Sequence, residues 1–382
     1  MTSIDTRLIH SGEPVPRVEG AVCLPVFQSA IFEYGGEQGY DNLKYIRLNN
    51  TPNHRAVQEK LAAVAGGEDA LVTASGMSAI STTLLTFLKA GDHALFQDCL
   101  YGGTHTFVTG DLPGCGIRHD FVSGNDPESW ERHLTPDTKL IYMETMTNPM
   151  LEVPDLEAVA AFAQKHGILA VVDSTFASPV NYRPLEHGFD LSLHSCTKYL
   201  NGHSDIVAGC VIGSRSHVQR VVHTANHLGG CIDPHACFLL HRGMKTLALR
   251  VRHQNAATLA LATFLNARSE VEQVNYPGLE SHPQHERAAR LFGGCGGVLS
   301  FELSGDFDRA DALIRSLNLP ISAPSLGGVE TLITRPVTTS HSGMLPGARE
   351  KAGIADRLIR VAVGIESADD LCDDFGQALD GV

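Results

Sequence analysis

The 382-residue chain has a net charge of −14, 43% hydrophobic and 19% charged residues. This composition belongs to packed globular proteins rather than disordered ones, and the length suits two lobes better than one core. A pI near 5.7, with no run of Lys or Arg, argues against a nucleic-acid partner, because an acidic surface repels a phosphate backbone.

Met1 to Arg7 contain no apolar leader core, and no apolar run approaches the ~18 residues of a membrane span. A soluble, cytoplasmic protein with no membrane contact is expected. Nine cysteines from Cys23 to Cys372 make no CxxC pair, and nineteen histidines make no HExxH. No metal site is expected, and the thiols read as reduced packing residues.

No internal repeat appears, so the order of elements carries the fold. Between residues 60 and 215, short apolar or β-branched runs alternate with helical stretches, which predicts a mainly parallel sheet covered by helices, an α/β domain. The first junction is Ala70-Leu71-Val72-Thr73, followed by Ala74-Ser75-Gly76-Met77-Ser78, where a small-residue turn opens a helix towards Leu88. Such a helix start is a natural anion site. A second strand, Ala94 to Gln97, leads to Tyr101 in Asp98-Cys99-Leu100-Tyr101-Gly102-Gly103-Thr104.

Farther on, a helical pattern runs from Asp155 to His166 and Gly167 ends it. The run Ile168-Leu169-Ala170-Val171-Val172 then reads as a buried central strand ended by Asp173. A strand from Asp190 to His194 delivers Ser195-Cys196-Thr197-Lys198 in the same manner. Ligands of open α/β sheets gather at such carboxyl ends. After Gly243 the texture changes to a helix from Thr246 to Leu265, the alternating strand Val298-Leu299-Ser300-Phe301-Glu302-Leu303, and a helix from Asp308 to Leu317. This predicts a smaller α+β lobe with an antiparallel sheet.

Together these junctions supply what pyridoxal 5'-phosphate requires: a lysine to bond its aldehyde, an acid for its ring nitrogen, a phosphate cradle and an aromatic cover. Lys198 is the candidate lysine and Asp173 the acid. Ser195 and Thr197 offer hydroxyls, the Gly76 and Met77 amides form the cradle, and Tyr101 is the cover. Taken singly, each is ordinary: a lone lysine is normally a solvated charge, and an Asp or Ser-Gly at an element end is normally a cap. Their coincidence in this order at strand ends is what points to the cofactor.

The segment from Asp190 through Lys198-Tyr199-Leu200-Asn201-Gly202-His203-Ser204 resembles the cofactor-lysine signature of the trans-sulfuration (Cys/Met metabolism) family. The likeness extends from Thr6-Arg7-Leu8-Ile9-His10 to Arg360-Val361-Ala362-Val363-Gly364. It implies the fold-type-I architecture of pyridoxal-phosphate-dependent transferases and a homotetramer, a dimer of dimers. The implied division is an arm at 1–50 contacting the neighbouring subunit, a cofactor domain at 51–243 and a C-terminal α+β domain at 244–382.

By the same resemblance, Tyr45 and Arg47 look like the family's Tyr-x-Arg, which reaches the neighbour's phosphate site, where an arginine fork suits phosphate. Asn148 looks like the asparagine near the cofactor's phenolic oxygen, Arg360 like the clamp on the substrate's α-carboxylate, and Ser325 like the serine that orients lysine and substrate. Glu330 matches an acid of cystathionine γ-lyases and γ-synthases, suited to a cationic distal group, although an exposed surface Glu explains it equally well.

Two departures are Asp173-Ser174-Thr175 in place of Asp-Asn-Thr and Asn50-Thr51-Pro52 in place of Asn-Pro-Thr. Gly103 stands where methionine γ-lyases typically have cysteine. The implied activity is γ-elimination or γ-replacement on a cystathionine- or homoserine-type amino acid. The alternatives are β-elimination, a γ-lyase acting on methionine or a guanidino-bearing amino acid, and a catalytically silent relative.

Overall fold

The computed structural model describes residues 2–36, 38–40, 43–339, 347, 349 and 353–381. The chain divides into two compact units. The first comprises Met1–Asp98, Gly103–Thr145 and Asp155–Ala248, and the second Cys99–Gly102, Met146–Pro154 and Leu249–Val382.

The first unit is built on seven strands: β1 (Asp69–Thr73), β2 (His93–Gln97), β3 (Arg118–Val122), β4 (Thr138–Glu144), β5 (Leu169–Asp173), β6 (Leu191–Ser195) and β7 (Gly209–Gly213). Their order across the sheet is β1-β7-β6-β5-β4-β2-β3. Only β7 runs antiparallel to its neighbours. No helix crosses over between Ser195 and Gly209, and a strand that returns without a crossover pairs antiparallel. The mainly parallel α/β sheet read from the sequence is present, with this one reversal.

Local chemistry sets the elements that deliver the strand ends. The helix Gly76–Phe87 begins at Ser75, whose hydroxyl accepts the Ser78 N–H at 3.0 Å. The helix Leu156–His166 begins where the Asp155 carboxylate accepts the Ala158 N–H at 3.1 Å, and it ends at Gly167 with φ 63°. Ala170, Val171 and Val172 of β5 are fully buried, as a strand covered on both faces requires.

The second unit carries a sheet of β8 (Val271–Asn275), β9 (Val298–Leu303), β10 (Ile321–Ser322), β11 (Leu332–Thr334) and β12 (Leu358–Ala362). The order is β10-β11-β12-β9-β8, antiparallel except for β10 with β11. Leu299 and Phe301 of β9, Ile333 of β11, and Ile359 and Val361 of β12 share a core with Leu261, Leu265, Leu313, Leu371 and Phe375 of the surrounding helices. Phe301 and Phe375 meet edge to face with centroids 6.2 Å apart. Each such fully buried side chain contributes about 2 kcal/mol of transfer free energy. Among the described residues no helix is long and apolar enough to cross a membrane.

Candidate active site

In the first unit, β1, β5 and β6 are mutually parallel and end on one edge of the sheet. That edge gathers Gly76, Asp173 and Ser195. Thr175 ties two of these ends together: its N–H donates to Asp173 Oδ1 at 2.9 Å, and its hydroxyl oxygen accepts the Ser195 N–H at 2.8 Å. Burial raises the Asp173 carboxyl above its ordinary range, and hydrogen bonds from the Thr175 hydroxyl and N–H pull it partly back. Between Asp173 and Thr175, Ser174 is fully buried and donates its N–H to Leu193 O at 2.9 Å. The serine in this triplet therefore leaves Thr175 placed to serve Asp173.

Lys198 is half-buried in the tight turns that follow β6. Its N–H donates to Ser195 O at 3.2 Å, and its carbonyl accepts the Gly202 N–H at 2.8 Å. Thr197 fastens this turn to the start of β7, its hydroxyl oxygen accepting the Ala208 N–H at 3.0 Å. Two glycines let the helix start press against these ends. A Cβ on Gly76 would stand 3.0 Å from Ser195 Cβ, and one on Gly209 would stand 2.2 Å from Ser75 O. The N–H groups of Gly76 and Met77 lie in the first helical turn, where no carbonyl of their own helix can accept them.

Tyr45 precedes a short 3₁₀ turn, Ile46–Leu48, and Arg47 is its middle residue. The Arg47 guanidinium donates to the Tyr40 hydroxyl and to the carbonyl of Asn226, and it lies 5.7 Å from the Tyr45 ring. Asn226 belongs to the last turn of the helix Arg215–Leu228, so within its own chain Arg47 serves a helix carboxyl end. Asn50, first of the departing triplet, accepts the Tyr45 N–H at 3.0 Å and donates to Leu43 O at 2.6 Å, which holds the same loop.

The second unit brings three other predicted residues into contact. Arg360, in the middle of β12 and only 4% exposed, donates through Nη1 to Asn148 Oδ1 at 3.0 Å and through Nη2 to Ser325 O at 3.0 Å. One acceptor is an amide oxygen and the other a backbone carbonyl. Ser325 has φ 101°, a conformation costly for a non-glycine residue and concentrated at functional sites. Glu330 is partly buried in the same loop between β10 and β11, and Tyr101, 45% exposed, precedes the helix Gly102–Thr106.

The donor set fits pyridoxal phosphate: a carboxyl held in low dielectric for a cationic ring nitrogen, a lysine on a rigid turn, and a glycine-seated helix start for a phosphate. Sequence reading did not single out Thr175 as a brace or Gly209 as a close-approach glycine. The cue for Thr175 was its place two residues after the strand-ending acid. Gly209 opens an apolar strand and carries no cue without the loop that crosses it.

Residues 5–380 match the family model described as Cys/Met metabolism PLP-dependent enzyme. A cystathionine beta-lyase of Bacillus subtilis is 39% identical, over 99% of this chain and 96% of its own length. A cystathionine gamma-lyase of Bos taurus is 40% identical over 98% of this chain and 93% of its own. An L-methionine gamma-lyase of Pseudomonas putida is 40% identical over 98% and 96%. The chain belongs to the Cys/Met metabolism family of pyridoxal-phosphate-dependent enzymes, among relatives named as lyases.

Proposed function

We propose that this pyridoxal-phosphate-dependent lyase performs γ-elimination or γ-replacement on a cystathionine- or homoserine-type L-amino acid. The observation that carries an amino-acid substrate is Arg360, a buried guanidinium held in direction by its bonds to Asn148 and Ser325. That arrangement suits a carboxylate, which an arginine fork binds in two parallel hydrogen bonds. Glu330 occupies the loop that supplies the Ser325 acceptor, and an acid there suits a substrate with a cationic far end.

In this reading Lys198 would hold the cofactor through its aldehyde, and Asp173 would keep the ring nitrogen protonated. Ser195, Thr197 and the Gly76 and Met77 amides hold the phosphate. Pyridoxal phosphate, when bound, supplies an electron sink next to the substrate's Cα. Lys198 would carry the protons lost from the substrate's Cα and Cβ as the γ-substituent departs. Tyr101 would cover the ring and relay a proton to Lys198 or to the departing group. Asn148 would serve the phenolic oxygen, and Ser325 would orient Lys198 and the substrate. The proposed assembly is a homotetramer in which Tyr45 and Arg47 complete the neighbour's phosphate site.

β-Elimination is the second reading, supported by the full-length likeness to a cystathionine beta-lyase. The two separate on one product. Incubation of the cofactor-loaded protein with L-cystathionine and no added thiol is expected to release 2-oxobutyrate. Pyruvate in its place overturns the γ reading and installs the second.

A further inference from the structure

The sheet of the second unit spends buried positions on polar residues in an unusual order. Thr334 of β11 pairs in register with Arg360 of β12, Arg360 with Ser300 of β9, and Ser300 with Asn275 of β8. Register partners in an antiparallel sheet point to the same face, so these four form one polar row across the strands. They are 5%, 4%, 0% and 4% exposed, and their strand neighbours Ile333, Ile359, Val361, Leu299, Phe301 and Val274 point to the opposite face and its apolar core. Burying a polar row is costly unless each group is bonded.

The bonds run in one direction. Gln273 Nε2 donates to Asn275 Oδ1 at 2.6 Å, Asn275 Nδ2 donates to Ser300 Oγ at 3.0 Å, and the Ser300 hydroxyl donates to Pro149 O at 2.8 Å. Pro149 has no N–H of its own, so its carbonyl is the handle by which this peptide can be gripped. The adjoining residue is Asn148, whose Oδ1 accepts from Arg360. Ser300 thus stands beside Arg360 in the sheet and also holds the segment that supplies one of its acceptors.

We infer that Ser300 and Asn275 are positioning residues for the substrate's α-carboxylate, setting Arg360 through Pro149 and Asn148. The inference rests on the reading of Arg360 as the carboxylate clamp. Glycine carries an amine and a carboxylate and nothing beyond them, and methylamine carries the amine alone, so their apparent dissociation constants isolate the clamp from any far-end specificity. Both are read without turnover from the visible absorption of the cofactor-loaded protein.

Ser300→Ala and Asn275→Ala are each expected to weaken glycine about tenfold, the worth of one buried hydrogen bond, and to leave methylamine unchanged. Arg360→Ala is expected to weaken glycine about a hundredfold. If Arg360→Ala leaves glycine unchanged, the clamp reading fails and takes the inference with it. If Arg360→Ala weakens glycine and the other two variants do not, or if they weaken glycine and methylamine alike, the inference alone is overturned.

Discussion

The two units display their candidate functional residues in opposite ways. In the first, Gly76, Asp173 and Ser195 sit where strands end and turns begin. In the second, Arg360, Ser300 and Asn275 lie within or at the last residue of strands, in a row across the sheet with no bulk solvent above them. The contrast follows from what a stretch of sequence can disclose. A strand end is written locally, as an apolar run closed by a polar residue and a small-residue turn. A row across four strands is written nowhere in one stretch of chain, because it exists only once register is fixed.

Ser300 shows the difficulty. In Val298-Leu299-Ser300-Phe301-Glu302-Leu303 it alternates with apolar residues as a solvent-facing position would, yet it is fully buried. The alternation correctly gave an antiparallel strand and pointed to the wrong environment for one of its residues. Asp173 is the converse case: an acid ending the run Leu169–Val172 was legible because β5 is covered on both faces and a charge there must have a use. Arg360 and Asn148 became visible only through resemblance to the family, since nothing in either local segment indicates that residues so far apart in the chain meet at 3.0 Å. The antiparallel β7 was likewise hidden, because its apolar run looks the same in either direction.

The largest expected effect breaks the comparison at the strand-end site. Asp173→Ala should lower turnover on the order of a thousandfold, the scale of removing a charge aimed at the reacting system, while glycine affinity, which the proposal assigns to the row in the other unit, should change far less. Steady-state and binding measurements on the same preparation check this. Equal losses in both would mean that the two regions do not divide the work between proton movement and carboxylate binding.

A smaller effect concerns stability against acid. Burial holds His194 and His241 in the first unit down to about 4, and lowers His54, His93 and His119 there as well, whereas in the second unit His282 is held down to about 4. Between that value and the ordinary histidine value of about 6.5, the unfolded chain binds protons that the native chain refuses, so stability falls as pH falls through this window. For the fully buried His194 the full loss is on the order of 3 kcal/mol. Amide exchange followed from pH 7 to pH 4.5 should therefore lose protection in β6 before the sheet of β8, β9 and β12. The opposite order would contradict the burial argument.

In the proposed site the turn after β6 carries the cofactor on Lys198. Borohydride reduction of the cofactor-loaded protein, followed by peptide mass mapping, tests it most directly. A single pyridoxyl adduct is expected on the peptide containing Lys198, and none in Lys198→Ala. An adduct on another lysine, such as Lys60, whose buried amine is itself pushed down to about 8, would contradict it.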